Sequence, residues 1–142
     1  MQWIDVKDKP GLLLAMMKLF KNNSYISFEG DLSRLSFVNI FNSSEEETDV
    51  LKRQTIDPIL DFVIVPLTEI TVEKIWKELI QNDHLVHEGI IHVQIESNGK
   101  LVFGGYDNFH RDCTVAYEGV PIELLDGLVE NGVIRGYKKG TA

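Results

Sequence analysis

Cysteine is nearly missing from this chain: Cys113 is the only one among 142 residues. A single thiol cannot close an intrachain disulfide, so no bridged framework holds the fold. Long apolar runs are missing too. The first residues show no cationic region leading into an apolar stretch, and Leu12–Met17 spans six residues, far short of the ~20 that cross a bilayer. A cytosolic location with no membrane partner is the expectation, and it leaves the glycosylation-like triplets at Asn22 and Asn42 without meaning. Basic charge is the third shortage. Fourteen Lys and Arg stand against 22 Asp and Glu, a net charge of −8. A general nucleic-acid binder needs a cationic footprint to displace counterions, so nucleic acid is not the expected partner.

Signatures of chemistry are missing as well. The glycines give no dinucleotide fingerprint, no Gly-Lys-Ser/Thr triplet exists, and there is no Gly-x-Ser-x-Gly elbow. Nothing calls for a cofactor, and the reading leans away from an enzyme.

What is present reads as one α+β domain over residues 1–142, with a frayed tail over 138–142. A helix is expected from Pro10 to about Lys21, on the spacing of Leu12, Leu13, Met16, Leu19 and Phe20, broken by Asn22-Asn23. Strands are expected over Ser24–Glu29 and Phe37–Phe41. Ser44-Glu45-Glu46-Glu47 fits a capping box that would start a short helix through Leu51. Leu60–Val65 is a buried strand, which Pro66 should stop. Val72, Ile75, Trp76, Leu79 and Ile80 predict a helix from Thr71 or Val72 to Gln81. The strongest signal is a hairpin, Ile90–Ser97 and Lys100–Tyr106 around Asn98-Gly99. Its ideal register pairs Ile95 with Val102 and Ile91 with Tyr106. One face is then Ile91, Val93, Ile95, Val102 and Tyr106. The reverse mixes His92, Gln94 and Glu96 with Leu101 and Phe103, too polar for core and too apolar for plain surface. A strand over Cys113–Tyr117, a helix opening at Pro121 and closing at Asn131-Gly132, and a strand over Val133–Tyr137 complete the chain. The expected fold is a mostly antiparallel sheet of about five to seven strands with about three helices packed on one side, a single layer pair. A parallel crossover through Leu60–Val65 and the Thr71 helix stays open.

Three constellations are candidates for function. The stretch Tyr106–Cys113 is densest in reactive groups: His110 as acid/base oriented by Asp107, with Cys113 as a thiol, would be a catalytic set. His92, Gln94, Tyr106 and Arg111 would contact a ligand there, and Gly104-Gly105 would let a ligand or backbone approach closely. The ordinary alternative is solvated turn chemistry beside a small buried thiol. His84 and His87, with His92, are candidate metal ligands, although no cysteine pairs or zinc-protease motif support them. The acidic run Glu45, Glu46, Glu47 and Asp49 has no base until Lys52. A second acidic region from Asp107 to Glu130, including Asp112, faces only Arg111. Such patches steer basic partners, though more often they are solvated surface.

In size and acidity the chain is similar in type to immunity- or antitoxin-type inhibitors, a resemblance carried by no motif. It implies an acidic interaction protein that binds a basic protein partner. The alternative is a small-molecule-binding or enzymatic domain, its site on the hairpin 90–106 and the loop 107–113.

Overall fold

Asn98 and Gly99 adopt φ of 52° and 80°, the pair of positive values a type I′ turn requires. Around that turn, strands β4 (Ile90–Ser97) and β5 (Lys100–Gly105) form the expected hairpin. The computed structural model describes residues 1–36, 42–81 and 83–140; the strand expected at Phe37–Phe41 lies outside the described residues. The other elements are β1 (Gln2–Val6), α1 (Lys9–Phe20), β2 (Ser24–Gly30), β3 (Asp61–Leu67), α2 (Glu69–Gln81), α3 (Asp83–Glu88), β6 (Thr114–Ala116), α4 (Ile122–Glu130) and β7 (Ile134–Lys139). The described strands form one seven-stranded sheet in the order β3-β2-β4-β5-β6-β1-β7. Every neighbouring pair is antiparallel.

The parallel neighbours left open do not occur among the described strands, but a crossover is present in split form. β3 and β4 are both antiparallel to β2, which lies between them, so they run parallel to each other with α2 and α3 as the connection. β1 was not foreseen. Its alternation turns Ile4 and Val6 into the core, and it lies between β6 and β7. Its pairing with Lys138 and Lys139 carries β7 past the expected end at Tyr137, into the tail read as frayed.

Local chemistry sets the helix starts. The Asp8 side chain accepts from the Gly11 amide and caps α1, and Asn22 and Asn23 follow its end with φ of 75° and 58°. α2 begins earlier than its apolar spacing implies. Thr68 and Thr71 cap each other reciprocally, each backbone amide donating to the other's hydroxyl at 2.8 and 3.1 Å.

Pro66 lies inside β3 instead of stopping it. β3 is an edge strand, and Ile64 exchanges both backbone hydrogen bonds with Ser44 on the outer side. Pro66 follows at the next outward position, where the missing donor removes no bond to β2.

The two faces of the sheet differ sharply. One carries Ile26, Phe28, Val63, Val65, Val93, Ile95 and Phe103, which join buried residues from α1, α2, α3 and α4 in one large cluster. The other carries a small cluster, Leu51, Phe62 and Ile64, with Leu101 packed against it. Leu51 belongs to no strand; it arrives on the irregular segment 42–60 that crosses this second face. Within the described residues no helix is long and apolar enough to cross a membrane.

The capping-box helix does not form on that segment. The Ser44 amide and carbonyl are taken by Ile64, and Glu47 Oε1 accepts from the Arg53 amide at 2.6 Å instead of turning back to Ser44. The run is a loop strapped to a strand edge.

Leu51 is fully buried, whereas Ile56 on the same segment is 83% exposed. Leu51→Ala should lower stability by about 2–3 kcal/mol and open the 42–60 segment to limited proteolysis. Ile56→Ala should stay within about 0.5 kcal/mol of the parent. Urea denaturation of both variants measures the contrast.

Candidate functional site

Alternation along β2 and β4 places Tyr25, Ser27 and Glu29 beside Glu96, Gln94 and His92 on the second face, in directly opposed pairs. This is the mixed face of the hairpin, with one change. A bulge between Ile95 and Glu96 pairs Glu96 with Leu101 but Ile95 with Phe103. The extra residue, Val102, shifts everything after it by one position. Phe103 therefore enters the main core, whereas the Tyr106 hydroxyl reaches Gln94 on the second face.

The polar groups of this face are bound by the chain itself. Glu29 is 2% exposed, and its two carboxylate oxygens accept the Gln54 and Thr55 amides at 2.8 and 3.2 Å. Gln94 Oε1 accepts the Lys52 amide at 3.3 Å and the Ser27 hydroxyl at 3.5 Å. Its Nε2 donates to the Tyr106 hydroxyl at 3.1 Å. Burial pushes the Tyr106 hydroxyl above its ordinary pKa, with the Gln94 bond opposing.

His92 joins the strap to the loop after β5. Its Nδ1 accepts the Asp107 amide at 3.2 Å, which assigns the ring proton to Nε2, 2.9 Å from the Thr55 hydroxyl. Desolvation holds the imidazole below its ordinary value of 6.5, against the raising charges of Glu29 and Asp107. The ring stands 5.9 Å from that of Tyr106.

Gly104-Gly105 serves close approach, but of the chain's own rings. A Cβ on Gly104 would lie 2.6 Å from the Tyr106 ring, and one on Gly105 would lie 2.6 Å from the Phe109 ring. Asp107, Asn108 and Phe109 follow with φ of 51°, 54° and 58°, a costly run for residues other than glycine. Asn108 offsets that cost: its Nδ2 donates to the Val86 and Ile90 carbonyls at 2.5 and 2.6 Å, and its Oδ1 accepts from Lys9.

Of the expected ligand contacts, the fold brings together His92, Gln94 and Tyr106; Arg111 lies exposed in the loop. The expected catalytic residues are apart in their bonding. His110 Nδ1 accepts the Asp112 amide at 3.1 Å and stands 3.9 Å from the Asp112 carboxylate. Cys113 is half-buried, and its backbone bonds to Tyr106 and His110. Neither Asp107 nor Cys113 reaches the His110 ring by a hydrogen bond among the described residues. His84 and His87 are exposed on α3 in the helix layer, whereas His92 lies on the opposite face. No group of three described His, Cys, Asp or Glu residues is placed to hold a metal ion.

The acids Glu45, Glu46, Glu47 and Asp49 are exposed on the strap, Glu46 and Asp49 near the Asn98–Gly99 turn. Asp107 and Asp112 are exposed beyond the other end of the hairpin. Sequence reasoning missed Glu29, Gln54 and Thr55. The available signal was the polar alternation Ser27, Glu29 in β2, matching Gln94, His92 in β4. Comparison with protein-family models, with curated proteins and with solved structures gives no match.

Two substitutions test this wiring. Glu29→Ala should cost about 2 kcal/mol, because two amides lose a charged acceptor. His92 favours the neutral ring in the folded state, so its contribution is complete above pH ~6.5 and is lost as pH falls through the lowered folded value. Thermal denaturation between pH ~7 and ~5.5 should therefore show a smaller decline in His92→Gln than in the parent.

Proposed function

We propose that this chain is an interaction protein that binds a basic protein partner through the strap, residues 42–60. The observation that carries the reading is the pairing of a fixed anchor with an exposed tip. Leu51, Lys52, Gln54 and Thr55 are held to the sheet, whereas Ile56 and Ile59, flanking Asp57-Pro58, are 83% and 76% exposed. A segment already ordered in the free protein loses little conformational entropy on binding. The acids Glu45, Glu46, Glu47 and Asp49 lie on the same segment, and the net charge of −8 draws a basic partner from a distance. An inhibitor-type role, with this segment laid in a basic groove, is the specific version of the reading.

The alternative, a small-molecule or enzymatic site on the hairpin and the following loop, would use His92, Gln94 and Tyr106. Those groups would have to exchange their bonds to Lys52, Thr55 and one another for bonds to a ligand.

Immobilised full-length chain should retain a discrete basic protein from its native lysate in roughly 0.05 M salt and release it near 0.5 M. The double variant Ile56→Asp/Ile59→Asp should retain none. Retention unchanged in that variant, or no retained protein in expressing cells, would overturn the proposal.

A further inference from the structure

Residues of the strap line two open pockets. The first, about 420 Å³, has the chain's own Arg53 in its wall. Arg53 stands 5.1 Å over the Phe62 ring and donates to the Leu60 carbonyl, with Glu45 and Asp61 also lining the pocket. The cation there has an aromatic ring beneath it.

The second pocket, about 480 Å³, repeats those components without a cation. Leu51 and Ile64 form its apolar floor, and Tyr25, 46% exposed, supplies the aromatic ring. Glu46 and Asp49 come from the strap, and Glu96 comes from β4, directly opposite Tyr25. None of the three carboxylates forms an ion pair with a described Lys or Arg.

We infer that this pocket is a socket for an arginine side chain of the basic partner, a reading that rests on the proposed interaction. Three carboxylates give charge complementarity, and the apolar floor accommodates the aliphatic stem. The Tyr25 ring favours a planar guanidinium, which stacks, over a strongly hydrated ammonium. Arg53 over Phe62 shows a guanidinium set on an aromatic ring within the chain itself.

The probe is N-acetyl-arginine amide, titrated into isotopically labelled full-length protein and followed by two-dimensional NMR. Saturable shifts are expected at Tyr25, Val50, Leu51, Glu96 and Gly99. The citrulline analogue, equal in shape but neutral, should produce none. Glu46→Gln/Glu96→Gln should weaken the arginine probe about fivefold while the remaining spectrum stays in place. Tyr25→Leu, which keeps an apolar wall, should weaken arginine more than the lysine analogue. Equal shifts from citrulline, shifts confined to other surfaces, or no shifts would overturn the socket. If the socket fails while strap variants still abolish partner capture, the interaction proposal survives alone. If arginine binds and no partner is captured, the wider proposal is the one that fails.

Discussion

A buried carboxylate with two backbone amides as its donors organises the second face of this protein. Glu29 sits on an interior strand next to the sheet edge at 2% exposure, where an ionised group without hydrogen-bond partners would be costly. Its partners are the amides of Gln54 and Thr55, so the chain must cross the sheet at that point. The crossing sets the rest of the face. Gln94 receives Lys52, His92 meets Thr55, and Leu51 drops between Phe62 and Ile64. Polar groups in the middle and a small apolar cluster beside them hold an irregular segment without a helix or strand of its own.

This division explains how an acidic loop becomes a presented surface. The opposite face buries most of the apolar side chains under the helices and supplies the bulk of the core. The strap contributes few buried groups, and its exposed part holds acids and two isoleucines in a defined place. Strap residues line two pockets of similar composition, one with Arg53 in its wall and the other lined by no Lys or Arg. In the proposed interaction, recognition of a basic chain would depend on the position of the carboxylates as much as on their number.

The sequence made the α+β architecture, the Asn98–Gly99 turn and the main helices legible because apolar spacing and turn residues act locally. It did not reveal β1, whose five residues make sense only between β6 and β7. The bulge at Ile95/Glu96 exchanged the expected faces of Phe103 and Tyr106, and no local pattern marks an extra residue in a strand. The mixed composition of the hairpin's reverse face was visible, but its cause was not. The contacts it makes with residues 51–55 are separated by about 40 positions along the chain. Ser44–Glu47 shows the opposite failure: the helix-starting motif is present, and a strand edge claims its backbone first.

Amide hydrogen exchange of the unmodified protein tests the central claim, that the strap is fixed to the sheet through Glu29. The account predicts that the Gln54 and Thr55 amides exchange at least ~100-fold more slowly than in an unstructured chain, together with Leu51. Exchange of those two amides at unstructured rates, while β2 and β4 stay protected, would contradict it.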